Sequence, residues 1–379
     1  MRLNNIQFIA TAEFGKYLLA KGWNTTTGLE GRATLWESEK HKDYEILQPI
    51  NPNASDYARR VRDLVEVLAE AEDKAVDQIA QEINEISDDV IRIRIIHDDV
   101  SDGSIPFNDG VELFLKAKDL LSSAARSLIS PKKEAYSGKA PKIVSNYFDN
   151  LRLSQTEIGS YVLKIESPVL LENEEQNDHL KEPFGRSVSN RVMHSLTKLD
   201  HAVELFSKTG KFKYFEEVVS AGVGASLCSA LVGLSGRDKK RSIEISLQPS
   251  PYADLLNVSH LSVTVKSEHI PIIEKAIGYY LNEYTVPFYS LVGRVTKLAR
   301  ELDFGEGNVT IFEKKNAQTG KAKHVEVTLD ENLYNDAIQA HEQSSDMKLT
   351  GTLVISGRKA YLTDVTNEQN QPDLFSDKS

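Results

Sequence analysis

The sequence predicts an α+β protein of several domains, and three observations carry that expectation. At 379 residues and 42.3 kDa the chain is long enough for two or three domains with their own cores. An acidic, poorly periodic stretch from 170 to 182 separates a mixed α/β first part from a helical middle. From 286 to 365 the apolar spacing reads strand, strand, strand, helix, strand, strand. That is the order of an OB-fold, a five-stranded Greek-key barrel with its helix after strand three. The expected divisions are an α+β domain over 1–170, a helical and β-β-α domain over 183–284, and an OB-like barrel over 286–365. The polar tail 366–379 is expected to be disordered, apart from Leu374-Phe375, which could dock on a partner.

Taken in order, Phe8, Ile9, Ala12, Tyr17 and Leu19 supply the apolar side of a short helix ended by Gly22. Arg32–Glu37 and Tyr44–Ile50 read as a hairpin across a loop that holds His41, with Trp23 and Trp36 anchoring a core or a domain edge. After the turn cluster at 51–55, Val61, Leu64, Val65 and Leu68 make one helical stripe, and Val76, Ile79, Ala80 and Ile83 a second. In Val90–Ile96 the isoleucines at 91, 93 and 95 alternate with Arg92 and Arg94, so both arginines share one face. That face is either solvated, or an edge guarded by charge, or an anion site. His97, Asp98 and Asp99 follow at once and are the weak catalytic or metal candidates of the chain. They miss the calcium-loop template: with Asp98 as position one, Val100 takes the third place and Asp109 the twelfth. A solvated Asp/Gly turn accounts for them more simply.

A long helix begins near Asn108, with Val111, Phe114, Leu115, Leu121, Ala125 and Leu128 expected on its buried side, and Ser130-Pro131 stops it. Past a basic connector and a helix near 144–151, Gln155, Thr156, Glu157, Gly159 and Ser160 form a polar turn into the strand Tyr161–Glu166. No catalytic pattern accompanies it. In the middle part, Val192, Leu196, Leu199, Val203 and Phe206 form a helical stripe. His194 and His201 lie seven apart, where a metal-binding helical pair is usually four apart. Gly222 and Gly224 lack both a preceding strand and the third glycine of a dinucleotide loop, so a helix packed through small residues is expected there, with Cys228 buried in it. Two alternating strands, Arg241–Leu247 and His260–Lys266, and a helix over Pro271–Tyr284 lead into the barrel through Pro287.

Within the barrel, Val325, Val327 and Leu329 face one way and His324, Glu326 and Thr328 the other, the signature of a half-buried strand. Asp330 can cap the inserted helix, and the final two strands meet in a hairpin around Ser356-Gly357. A swapped SH3-like barrel or a plain α+β sheet would give a similar string. OB-like barrels hold single strands through a basic groove and stacked aromatics, and the candidates here are Arg294, Lys297, Phe312, Lys314, Arg358 and Tyr361. Against this, residues 286–365 hold ten Lys/Arg and eleven Asp/Glu, a net charge of −1, where a dedicated nucleic-acid module usually shows a basic excess. A protein-binding or purely structural barrel therefore stays open.

A net charge of −11 argues against general DNA coating or an anionic membrane surface. One cysteine precludes an intrachain disulfide, and no apolar stretch approaches the roughly 18 residues of a membrane span, so a cytoplasmic protein is expected. No cofactor-binding or metal-binding spacing is present. Trp23 with Arg32–Trp36, Asp56-Tyr57, the 155–168 stretch, Gly222–Gly233, and Ala340-His341 with Gly351 together resemble a widespread set of uncharacterised bacterial proteins associated with mobile elements and phage defence. The resemblance carries no catalytic motif and transfers no functional residue. The expectation is a non-enzymatic adaptor or sensor whose barrel contacts single-stranded nucleic acid or a protein partner in a larger assembly. The rival is a metal-dependent enzyme acting on nucleotide or nucleic-acid phosphates through Arg92, Arg94, His97, Asp98 and Asp99.

Overall fold

The computed structural model describes residues 11–26, 32–100, 102–154, 161–171, 182–250, 262–316, 318 and 320–366. Helices and strands are mixed along the chain as an α+β fold requires. The polar turn at Gln155, Thr156, Glu157, Gly159 and Ser160, most of the acidic stretch and the tail with Leu374-Phe375 lie outside the described residues. Among the described residues no helix is long and apolar enough to cross a membrane. The chain groups into two compact units, Met1–Ala117 with Lys139–His194 and Arg241–Thr264, and Lys118–Gly138 with Ser195–Lys240 and Val265–Ser379.

In the first unit, α1 (Thr11–Ala20), the strands β1 (Asn24–Thr25), β2 (Ala33–Glu37) and β3 (Glu45–Pro49), and the helices α2 (Tyr57–Glu72) and α3 (Val76–Asn84) share one apolar cluster. Trp23 and Trp36 are buried in it, and Trp36 Nε1 donates to Gln48 Oε1 at 2.8 Å. This is the core-anchor role expected of both tryptophans. A five-stranded sheet follows, formed by β4 (Asp88–Ile96), β5 (Arg152–Leu153), β6 (Val162–Pro168), β7 (Ser242–Gln248) and β8 (Ser262–Val265), in the order β5-β6-β4-β7-β8. β4 is thus the central strand, which rules out the charged-edge reading of its arginines. In β6 the four residues from Val162 to Ile165 are all buried.

α4 (Phe107–Ile129) buries Leu121 and Ala125 as expected but corrects the first part of the expected buried face. Leu113, Ala117, Leu120, Leu121, Ala124 and Ala125 are buried, whereas Val111, Phe114 and Leu115 are exposed. Both stripes are apolar at helical spacing, and hydrophobicity alone does not choose between them. α5 (Lys142–Asn150) presents Tyr147, whose hydroxyl sits 2.9 Å from Ser167 Oγ. α6 (Phe184–Thr209) begins at a buried ion pair, Arg186 Nη1 to Asp89 Oδ1 at 3.0 Å. Ser250 bonds both partners, its N–H to Asp89 and its carbonyl to Arg186.

In the second unit the single helix expected through Gly222 and Gly224 is broken. It comprises α7 (Lys213–Glu217), a short 3₁₀ turn and α8 (Ala225–Leu234). Gly222 takes φ 94, which ends the turn, and a Cβ on Gly224 would stand 2.6 Å from the Lys132 carbonyl. Cys228 is fully buried in α8, and burial pushes its thiol up to about 12, so it is unreactive.

α9 (Ile270–Tyr280) leads into β9 (Glu283–Ala299), β10 (Gly307–Glu313), β11 (Lys323–Leu329), α10 (Glu331–Glu342), β12 (Asp346–Ser356) and β13 (Lys359–Thr366). The five strands form a closed ring in the order β10-β11-β13-β12-β9, with β11 and β13 parallel and every other pair antiparallel. Leu291, Val295, Val309, Ile311, Val325, Val327, Leu349, Leu353 and Leu362 fill it. β9 starts earlier than expected, so Pro287 lies inside the strand, at a register shift opposite Gly351–Leu353. Gly293 permits the close pass of β9 over β10, since a Cβ there would lie 2.3 Å from the Phe312 carbonyl. Asp330 caps α10 by accepting from Leu333 N at 2.9 Å.

Candidate nucleic-acid interface

Period 2 turns alternate residues of β9, β10, β11 and β13 outward, and the pairing register decides which of them meet. Phe312 stands opposite Arg294 on one side and His324 on the other. The Phe312 and His324 rings lie 4.8 Å apart and are tilted by 43°. In the next tier Lys297 faces Thr310, Thr310 faces Glu326, and Glu326 faces Tyr361. Four of the six candidates, Arg294, Lys297, Phe312 and Tyr361, are thereby brought onto one outer face by three strand pairings. A groove of about 690 Å³ covers part of it, bordered by Lys297, Thr310, Glu326, Tyr361 and Asp364 but not by Arg294 or Phe312.

The other two candidates lie at one end of the ring. Lys314 follows the last residue of β10, and Arg358 sits in the two-residue turn between β12 and β13. β10 runs antiparallel to β11, and β11 parallel to β13, so the end of β10 and the starts of β11 and β13 coincide. Lys314, Lys323, Arg358 and Lys359 gather there. At the opposite end stand Glu306, at the start of β10, and Asp364, near the end of β13. The outer face is therefore polarised, cationic at one end and acidic at the other. A net charge of −1 summed over residues 286–365 conceals this separation.

Beneath the cationic end the ring interior holds a carboxylate. Tyr289 Oη donates to Glu313 Oε1 at 2.6 Å, and Asn316 Nδ2 donates to Glu313 Oε2 at 2.9 Å. Glu313 and Asn316 are buried, so this carboxylate faces inward, while Lys314 next to it in the chain is exposed. Lys323 is held below the ordinary lysine range, first by burial and then by the positive charge of Lys133; the Glu313 carboxylate acts the other way. Sequence spacing placed His324 outward but offered no sign of Glu313 inward or of Lys133 nearby, because those neighbours come from distant segments.

The first-half candidates have other work. His97 Nδ1 lies 2.6 Å from Asp99 Oδ1, and Arg241 Nε donates to Asp99 Oδ2 at 3.1 Å. The Arg241 guanidinium also donates to Asp109 at 2.8 Å. Hydrogen bonding to Arg241 holds the Asp99 carboxyl below its usual range, and the same bond raises the guanidinium. Asp98 opens the adjoining 3₁₀ turn. This constellation ties β4, α4 and the start of β7 together by ion pairs. Arg92 donates to Gln248 at 3.0 Å, and Arg94 lies 3.5 Å from Glu244, so both arginines are matched across strands. Among the described residues no group of three or more His, Cys, Asp or Glu could hold a metal ion. His194 and His201 are both exposed on α6.

Searches of protein-family models, curated proteins and solved structures return no match to this chain.

Proposed function

We propose that the chain is a non-enzymatic cytoplasmic adaptor or sensor, of the kind used in phage defence, whose five-stranded ring is an OB-like barrel that binds single-stranded nucleic acid on its β10–β11 face. The observation that carries this reading is the convergence of Arg294, Lys297, Phe312 and Tyr361 on one outer face, with Lys314 and Arg358 at its cationic end. The ring order and the helix between its third and fourth strands suit such a barrel. Bases stack on half-buried aromatic faces while cations track the backbone, an arrangement that tolerates any sequence. A protein partner is the second reading, favoured by the acidic end at Glu306, Glu326 and Asp364. The rival metal-dependent chemistry at His97, Asp98 and Asp99 has less support, because Arg241 occupies the Asp99 carboxylate.

The test is anisotropy of labelled single-stranded DNA and RNA with the full chain. Phe312→Ala is expected to weaken binding by about 1–3 kcal/mol, the worth of one stacked base. Equal affinity for Phe312→Ala and the unaltered chain would refute the stacking face.

A further inference from the structure

The geometry points to a binding site for a phosphate monoester at the cationic end of the ring, between Lys133, Lys323 and Arg358. This rests on the nucleic-acid reading and extends it, since the site would take the terminal phosphate of a strand rather than its internal diesters. Lys133 Nζ reaches Asn282 Oδ1 at 3.5 Å. The Asn282 carbonyl accepts from Gly357 N at 2.9 Å, and Arg358 is the next residue. One short chain of hydrogen bonds therefore ties the lysine, the α9–β9 junction and the β12–β13 turn. The parallel pairing of Glu326 with Tyr361 puts the start of β11, which carries Lys323, at the same end of the ring as the turn that holds Arg358.

The carboxylates that would neutralise these cations are committed elsewhere. Glu216 accepts from Tyr279 Oη at 2.8 Å and forms an ion pair with Lys321. Glu313 is turned inward onto Tyr289 and Asn316. No carboxylate of the described residues lies within ion-pair distance of Lys133, Lys323 or Arg358. Glu283 pairs with Ser356 in the ladder beside the turn.

Two ammonium groups and a guanidinium that reach Glu216 and Glu313 only at longer range and make no direct ion pair, with Lys323 half-buried, match a dianion. A terminal phosphate carries about −1.5 to −2 at pH 7 and three acceptor oxygens, against −1 for an internal diester. The guanidinium fork can take two of those oxygens, and the lysines supply point charges to the third. Lys323 gains most, because an anion at this position restores the charge that burial and Lys133 disfavour.

The experiment compares the full chain with single-stranded oligonucleotides ending in 5′-phosphate, 3′-phosphate or hydroxyl, and with a free nucleoside monophosphate. One terminal phosphate is expected to tighten binding about tenfold; Lys323→Gln should abolish that gain while leaving hydroxyl-ended binding within about threefold, and Arg358→Gln should abolish the gain and weaken hydroxyl-ended binding as well. Equal binding of phosphate-ended and hydroxyl-ended strands overturns the monoester site and leaves the nucleic-acid reading standing. Binding of the free monophosphate, lost in Lys323→Gln, with no binding of any oligonucleotide, keeps the phosphate site and removes the nucleic-acid reading. Binding of none of the probes overturns both. Unchanged thermal unfolding of the two variants separates loss of the site from loss of the fold.

Discussion

Replacing Asp88 by Asn should stabilise the first unit at neutral pH and hardly change it in acid. Asp88 opens β4 with no hydrogen-bond partner for its carboxyl among the described residues. Burial pushes that carboxyl up to about 6 from 3.8, aided by the negative charges of Glu166, Glu13 and Asp89, while Lys16 offsets part of the rise. A carboxyl raised in the folded state holds its proton there and releases it on unfolding. Stability therefore falls as pH climbs from about 3.8 to about 6 and stays at its lowered value above that. The difference, near 2.2 in pKa, corresponds to about 3 kcal/mol at pH 8 and about 0.5 kcal/mol at pH 4. Asp88→Asn removes the ionisation and should recover those amounts, with some reduction because the site is partly exposed. Tryptophan fluorescence during urea unfolding is a suitable assay, since both tryptophans, Trp23 and Trp36, sit in the core that α1 shares. A variant equally stabilised at pH 8 and pH 4, or destabilised at pH 8, would contradict the reasoning.

Three further outcomes follow from the packing. Arg186→Met leaves the fully buried Asp89 carboxylate without its guanidinium and should cost about 3–5 kcal/mol at pH 7, measured by urea unfolding; the double change with Asp89→Asn should recover much of it. Gly307→Ala drives a methyl to 2.2 Å from the Tyr334 ring and should destabilise the second unit by about 1–3 kcal/mol, seen as a lower thermal midpoint; an unchanged midpoint would show that α10 yields freely. Asp99→Ala breaks an ion pair that is partly exposed, so the loss should stay below about 1 kcal/mol, and EDTA should not shift the thermal midpoint of the unaltered chain.

The strands of the ring were legible because each buries one face, so that Val325, Val327 and Leu329 declare their inward side by alternation alone. Asp330 and Gly357 likewise act locally, one as a cap and the other at φ 58 in a tight turn. α4 was misread because it carries two apolar stripes, and only the tertiary environment buries Leu113 and Ala117 instead of Val111 and Phe114. The inward Glu313 and the Asp89–Arg186 pair were equally hidden. A buried charge is tolerated only through partners, and Tyr289 and Arg186 are 24 and 97 residues away. Site legibility was similarly divided. Residue type picked out Arg294, Lys297, Phe312 and Tyr361, but the register and the position of Lys133 decide where charge accumulates, and neither is written in local spacing.

The most direct measurement is the salt dependence of single-stranded oligonucleotide binding by the full chain, repeated with Arg294, Lys297 and Arg358 each changed to Ala. Four engaged cations, with Lys314 the fourth, predict a log–log slope of about −3 for single strands, and each substitution should reduce its magnitude by about 0.7. Absence of binding at low salt, or binding whose slope ignores all three substitutions, would contradict the nucleic-acid barrel.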